Sequence, residues 1–540
     1  MADGKRSRNA DRITRLRAVA HVGRYNATDS PTEGTLDAMC WARQPGAIAM
    51  RRALSSNNEC PSRRQVLRSG LAVGAAALGA GIFAAGHARA SEKGEVRRLT
   101  PGVYLLLDDD LIAQQKNVER TIHPPRRAPR PMVTGREDKC FQPYVSVLRD
   151  PQSRRFRMWY NSAPTPEESH IGYLESENGV DWIRPHRELE DPDGLRVGYG
   201  AYVVDDGPKF PDPARRYKLA WEKDGLFTAY SGDGLKWAAT STQPVLHEGM
   251  GDIISLSRDP IRQRYLLVCK MHSAPQDGYK GSTPNAKEGY RRLVGQSVSS
   301  DCIHWSPARR IIVADELDEG ITEFYGIGQV IARGDLLVGT LKVLRDDLSP
   351  EPGGERRGIG YTVLAWTRDG ETWQRDRQPF MDRNPEAGTW DRAMTWGDCL
   401  LPVDDEVYVY YGGYARGHKV ERFTERQIGL ARLRRDRFVS RDAKEEGGWL
   451  RTPLVSLGGA SELTINAEVD KVDGEIRARV LDAAGAPLAG FDTADSTPVR
   501  GDSLRHRLVW KQPLATLAGK PCQVEFSLRS ARLYAIEVHA

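Results

Sequence analysis

The residues best equipped for chemistry are acidic ones standing just ahead of short apolar runs. Glu137 and Asp138 precede Phe141-Gln-Pro-Tyr144, Asp252 precedes Ile253-Ile254, and Glu323 precedes Phe324-Tyr325. Asp205 and Asp206 fall in a turn, and Asp391 and Asp398 flank Trp396. Carboxyl groups in unlike surroundings, one held protonated and the other ionised, can serve together as general acid and general base. Any one of them alone reads as readily as a solvated turn carboxylate; recurrence at matching positions is what marks the set. Around them, Tyr144, Tyr325 and Trp396 fall near strand starts, where an aromatic face can stack on a ligand's ring. Arg149, Lys270, His272 and His418 can bond hydroxyls or a carboxylate, and His418 closes the Gly-rich loop Tyr411-Gly-Gly-Tyr-Ala-Arg-Gly-His418. Each of these also has an ordinary alternative as core or rim packing.

What must position them is a repeat. Ser176-Glu-Asn-Gly-Val-Asp-Trp182, Ser231-Gly-Asp-Gly-Leu-Lys-Trp237, Ser299-Ser-Asp-Cys-Ile-His-Trp305 and Thr367-Arg-Asp-Gly-Glu-Thr-Trp373 share the form S/T-x-D/N-G-x-x-W, with Cys302 replacing the glycine once. The Asp or Asn accepts backbone N–H bonds across a tight turn, the glycine tolerates φ > 0, and the Trp anchors the turn on the next unit. Trp-to-Trp intervals of 55, 68 and 68 residues suit four-stranded propeller blades carrying insertions. A second motif lies half a unit out of phase: Asp150-Pro, Asp212-Pro and Asp259-Pro each lead into an aromatic and aliphatic strand, with Asp404-Asp-Glu-Val-Tyr-Val-Tyr-Tyr411 as a looser copy. The alternation predicts an all-β, five-bladed propeller, with the fifth unit, about Ala393 to Phe438, lacking the signature Trp. Six blades follow if Leu99–Ile112 forms a divergent unit; otherwise the strand in Val103–Ile112 is expected to close the ring on the last blade. The Pro- and Arg-rich stretch His123–Pro131 cannot be a central strand and is expected to cross one face. The period stops near Gly447, and short alternating strands over 448–540 predict a C-terminal β-sandwich, placing the propeller in 91–447.

The 540 residues, 39% hydrophobic and 28% charged, allow more than one domain, and a net charge of +5 with its arginines concentrated early gives no reason to expect a nucleic-acid partner. Ser62-Arg-Arg-Gln-Val-Leu67, the Ala/Gly-rich run Gly70–Gly86 and Ala88-Arg-Ala90 read in order as a twin-arginine signal with its cleavage site. The run is too short and Gly-rich for a membrane span, so the mature chain is expected in the periplasm or outside the cell with no membrane attachment. Residues 1–48 read as a disordered extension, or as a mis-called start if translation begins at Met50. Beyond Ala90 five cysteines remain, Cys140, Cys269, Cys302, Cys399 and Cys522, with no C-x-x-C spacing, which predicts buried free thiols in place of a disulfide scaffold or zinc site. No cofactor or metal site is expected, although an axial calcium ion, whose oxygen ligands have no fixed spacing, is left open. Oligomeric state has no sequence signal.

Blades with these turns, a C-terminal β-sandwich and an export signal resemble the five-bladed propeller glycoside hydrolases related to families 32, 43 and 68. The resemblance covers about Val103 to Ala540 and implies a funnel on the propeller axis where the blades' first strands present three carboxylates to a carbohydrate substrate. It implies Asp138 or Glu137 as base or nucleophile, Asp252 as the stabilising acid and Glu323 as general acid. The W-x-N-D-P-N-G and E-C motifs of those families are not found in the expected contexts, and the R-D-P letters of Ser257-Arg-Asp-Pro260 sit in the recurring Asp-Pro turn. Two alternatives stand beside it: a non-catalytic carbohydrate-binding propeller, and a sialidase-like enzyme, whose S-x-D-x-G-x-x-W box has one more residue before the glycine and whose site needs three arginines with a Tyr/Glu pair.

Overall fold

The computed structural model describes residues 96–163, 168–247, 249–281, 289–355, 357–418, 420 and 425–540. The twin-arginine motif, the Ala/Gly-rich run and the cleavage site lie outside the described residues.

The protein is almost entirely β. Strand pairing groups the described residues of the central region into three four-stranded antiparallel sheets and one nine-stranded sheet, in which two further meanders are joined by a single parallel bridge between Gly360 and Met394. Blade I is Cys140–Arg149, Phe156–Ser162, His170–Ser176 and Arg187–Leu189; blade II is Tyr199–Asp205, Tyr217–Glu222, Leu226–Ser231 and Ala238–Ala239. Blade III is Ile254–Asp259, Arg264–His272, Arg292–Ser299 and Arg309–Ile312, and blade IV is Thr322–Ile327, Leu336–Arg345, Ile359–Thr367 and Gln374–Arg375. Blade V has Met394–Val403, Glu406–Tyr414 and Arg426–Arg434. The first strands of blades I to IV touch in succession, the first strand of blade V packs on blade IV, where Trp396 meets Tyr325, and it also touches the first strand of blade I, so the set closes on itself.

Both sequence motifs are turns within these meanders. The signature joins third and fourth strands: Ser231 Oγ accepts the Gly234 N–H at 2.8 Å while Asp233 Oδ1 accepts those of Leu235 and Lys236 at 2.8 and 3.0 Å. Ser176/Asn178, Ser299/Asp301 and Thr367/Asp369 repeat the pattern. The fourth position is left-handed in all four, with φ from +64° at Cys302 to +74° at Gly179, which explains why glycine dominates there. The Asp-Pro motif joins first and second strands, with Asp150 Oδ1 and Asp259 Oδ1 each accepting two backbone N–H groups.

Blade V lacks a signature turn because its fourth strand comes from elsewhere in the chain. Arg126–Arg127 pairs antiparallel with Ala431–Arg432, so the Pro-rich stretch, expected to cross a face, supplies the edge strand that closes the ring. Proline is tolerated there because an edge strand needs ladder bonds on one side only. The strand expected to do this closing, Gly102–Leu105, instead pairs with Ala531–His539.

That strand belongs to the sandwich, which both ends of the described chain build. One sheet combines Arg97–Arg98 and Gln114–Lys116 with Gly448–Arg451, Val455–Ser456, Glu475–Leu481 and Pro521–Arg529. The facing sheet combines Gly102–Leu105 and Glu119–Ile122 with Val439–Ala443, Glu462–Val469, Gly501–Arg507 and Ala531–His539. Tyr104 points into the core between the sheets, while Val103 and Leu105 pack with Leu336, Trp366 and Val407 of blades IV and V. A strand's two-residue period thus buries both faces of Gly102–Leu105, one in each module. The five described cysteines are buried and free. No helix among the described residues is long and apolar enough to cross a membrane.

Candidate functional site

The depth of the ring is filled by hydrogen-bonded polar groups. Asp398, on the first strand of blade V, is fully buried, pairs with the Lys342 ammonium and accepts from Tyr202 Oη at 2.8 Å and the Val145 N–H at 2.6 Å. Gln329 Nε2 donates to the carbonyls of Val203 and Leu256, both at 3.0 Å, which ties blade II to blade III. Tyr144 stacks at this level, its centroid 6.5 Å from that of Tyr202 and 5.3 Å from Lys342 Nζ. The Asp398 carboxylate is therefore neutralised by the Lys342 ammonium. Among the described residues, no group of three or more His, Cys, Asp or Glu could hold a metal ion.

Above this plug, at the end where first strands begin and second strands finish, the fold gathers Asp252, Lys270, His272, Glu323, Tyr325, Trp396 and His418. Asp252 lies just before the first strand of blade III and Lys270 near the end of its second, and the two form an ion pair. Arg292, which opens the third strand, donates from Nη1 to Glu323 Oε2 at 2.6 Å, and its backbone N–H reaches Glu323 Oε1 at 2.9 Å. Lys270 Nζ and the Arg292 guanidinium carbon stand 5.9 and 5.1 Å from the Tyr325 ring centroid. Tyr325 in turn meets Trp396 at 4.7 Å and His418 at 4.9 Å.

The burial of these groups bears on several expectations. Tyr144, Tyr325 and Trp396 are only 5, 1 and 3% exposed, so they form a packed floor in place of open stacking platforms. Glu323 is fully enclosed with both oxygens bonded to Arg292, and burial raises its carboxyl against the opposing charge of Arg292. Asp138, 1% exposed, accepts from the Thr134 N–H at 2.8 Å and Arg184 Nη2 at 3.1 Å, bracing the turn into blade I. Glu137 is an exposed turn residue whose carboxylate lies 3.6 Å from Arg184 Nε. Of the carboxylates proposed from sequence, Asp252 is the one at this end that keeps substantial solvent access, with 44% of its side chain exposed.

Three further residues complete the site. Glu222 ends the second strand of blade II and pairs with Tyr199, its Oε1 accepting the Gly225 N–H at 3.3 Å. Burial, reinforced by the charges of Asp252 and Asp224, pushes its carboxyl up to about 7 despite backbone N–H bonds that oppose the rise. Burial also works against ionisation of Asp252, but the Lys270 ammonium, with help from Arg292, outweighs it and holds that carboxyl below its usual range. His272, packed 5.0 Å from the Tyr290 ring, is pushed down to about 4 by burial and by the positive charges of Lys270 and Arg292. The rim of blades II and III thus offers one carboxyl that is about half protonated near pH 7, one ionised carboxylate and a neutral imidazole. Arg292 and Arg426 are the other two residues. Glu222 had one sequence signal, its place at the end of the strand that follows Asp212-Pro; Arg292 and Arg426 had none, because each gains meaning only from its neighbours across the ring.

No protein-family model matches the chain, and no curated protein matches it. Solved structures with similar backbones include a BT0996–RGII complex, at 14% identity and a TM-score of 0.41 over 57% of this protein and 92% of that one. Others are a putative glycoside hydrolase from Bacteroides ovatus, at 14% identity and a TM-score of 0.40 over 59% and 98% of the two proteins, and a member of the GH130 family described as targeting beta-1,2 mannosidic linkages in Candida mannan, at 12% and 0.37 over 58% and 95%. At such identities the chemistry has to be read from this protein's own residues.

Proposed function

We propose that the protein is an exported glycoside hydrolase acting on a poly- or oligosaccharide, with Glu222 as general acid and Asp252 as the ionised carboxylate opposite it. The observation that carries this is the unlike setting of two carboxyls at one rim: Glu222 is buried with its Oε1 on the Gly225 N–H, which agrees with a raised carboxyl, while Asp252 is half-exposed and paired with Lys270, which holds it down. Cleavage of an acetal needs one carboxyl to protonate the leaving oxygen and a second to act as base, nucleophile or electrostatic stabiliser at the other side of the bond. Lys270 and Arg292 keep Asp252 ionised, Glu323 fixes Arg292, and the neutral imidazole of His272 can bond substrate hydroxyls.

The enclosure of Tyr144, Tyr325 and Trp396 favours a second reading, a propeller that binds carbohydrate without turning it over. The sialidase-like alternative calls for three clustered arginines; among the described residues Arg292 and Arg426 are the two in this group. A panel of aryl glycosides and polysaccharides assayed with residues 91–540, alongside Glu222→Gln and Asp252→Asn, separates these. Cleavage abolished by both substitutions supports the hydrolase; sugar binding without cleavage, unchanged by either, moves the protein to the binding class. Export is tested by fractionating cells that carry Arg63→Lys and Arg64→Lys, which should hold the chain in the cytoplasm.

A further inference from the structure

Asp252 stands between two backbone bonds that its own stretch makes to a single residue of the neighbouring strand. The Gly251 N–H donates to the Lys270 carbonyl at 2.8 Å, and the Lys270 N–H donates to the Ile253 carbonyl at 2.8 Å. A regular antiparallel pair exchanges both bonds between the same two residues; here the partners of Lys270 lie on either side of Asp252, a departure of the bulge kind that re-aims a side chain. The Asp252 carboxylate thereby meets the ammonium of the very residue to which its backbone is pinned. That side chain passes close over Gly251. A Cβ at residue 251 would lie 2.7 Å from Lys270 Cε, 3.5 Å from the Lys270 carbonyl oxygen and 3.6 Å from His272 Cε1. The first is well inside the separation at which two carbons attract, while the other two are ordinary contacts. The φ of Gly251 lies outside the left-handed region, so its backbone conformation does not itself call for glycine.

We propose that Gly251 is a positioning residue of the site: having no side chain, it lets the Lys270 ammonium reach Asp252, and a larger residue there moves the ammonium off the carboxylate while leaving the strand in place. The atom that a methyl group would displace is near the free end of a flexible side chain, so the fold yields there cheaply and the ion pair is what is lost. Burial works against ionisation of Asp252 and Lys270 supplies the main charge set against it, so the carboxyl rises once the ammonium withdraws. The other titratable or charged groups that feel Asp252 are Tyr144 of blade I, Glu222 of blade II, Arg292, His272 and Tyr290 beside the strands of blade III, and Tyr325 of blade IV. His272 is the one of these that ranks among the three nearest neighbours of a Cβ at residue 251, and at 3.6 Å it can stay where it is. The consequence for catalysis rests on the role proposed above for Asp252; the geometry does not.

Carbon-13 NMR titration of residues 91–540, labelled at the Asp carboxyl carbon and with the Asp252 signal assigned by its loss in Asp252→Asn, tests this without any substrate. Gly251→Ala should shift the Asp252 midpoint upward by most of the rise that Lys270→Ala produces, and should add nothing in the Lys270→Ala background, where the crowded Cε is gone. Thermal unfolding gives an independent reading: the double variant Gly251→Ala with Lys270→Ala should unfold at the temperature of Lys270→Ala alone. An Asp252 midpoint unmoved by Gly251→Ala, or moved equally whether or not Lys270 is present, would overturn the proposal, as would a double variant less stable than Lys270→Ala. In an active enzyme the acid limb of the kcat/KM profile should move to higher pH with the carboxyl. A wild-type protein that cleaves no glycoside would count against the hydrolase reading alone, since the carboxyl titration decides the role of Gly251 by itself.

Discussion

Glu222→Gln should change how stability depends on pH. In the unfolded chain the Glu222 carboxyl titrates near 4.5; in the folded protein burial raises it to about 7. Between those values the native state holds a proton that the unfolded state has released, so stability falls as pH rises through this window and levels off above it. A gap of about 2.5 units at 1.36 kcal/mol each amounts to roughly 3 kcal/mol as an upper bound, because Glu222 keeps some contact with water. The amide has the same shape and no titration. Urea unfolding of both proteins at half-unit steps from pH 4 to pH 9 should therefore show the variant gaining on the wild type by up to about 3 kcal/mol, nearly all of it between pH 4.5 and 7.5. A constant offset across the whole range would refute the raised carboxyl and, with it, the assignment of Glu222 as the acid. Were activity found, the alkaline limb of the wild-type pH profile should follow the same group, with its midpoint near 7.

Glu323→Gln should cost about 3–5 kcal/mol in urea unfolding by leaving Arg292 unpaired, and the double substitution Glu323→Leu with Arg292→Met should recover most of the loss; equal losses in both would mean that the pair is not coupled. Glu323→Gln should also lower activity without moving the alkaline limb, which distinguishes a positioning residue from the general acid. Trp159→Phe should destabilise the protein by about 1–3 kcal/mol more than Trp237→Phe, since Trp159 Nε1 bonds the Gly234 carbonyl at 2.9 Å whereas Trp237 Nε1 has no partner among the described residues. Starting the chain at Pro131 in place of Ser91 should abolish cooperative thermal unfolding, because it removes the strand closing blade V and four strands of the sandwich.

Local chemistry made the repeat legible. Asp or Asn followed by glycine and a Trp specifies a turn from a handful of neighbouring residues, so the signature turns and the Asp-Pro turns could be read without knowing what they joined. The same locality explains why blade V looked irregular: with its fourth strand supplied by Arg126–Arg127 it has no third-to-fourth turn for a signature to occupy. Gly102–Leu105 was recognisable as a strand, yet nothing in its own residues says whether its partner is the last blade or Ala531–His539, more than 400 positions away.

The site divides along the same line. Sequence alone brought forward Asp252, Lys270, His272, Glu323, Tyr325, Trp396 and His418, because residues at strand starts and ends in successive blades must converge at one end of a ring. It could not rank them. Whether a carboxylate is open, paired or sealed depends on side chains from other blades: Glu323 is fixed by Arg292, Asp138 by Arg184, Asp398 by Lys342 and Tyr202. Desolvation and charge pairing act through space and set protonation, and they raise the carboxyl of Glu222, a strand end that nothing in its own stretch of sequence singles out. The sequence determined where turns fall and which residues share the ring's mouth; only tertiary structure decided which of them carry a proton, because that depends on distances the chain order does not contain.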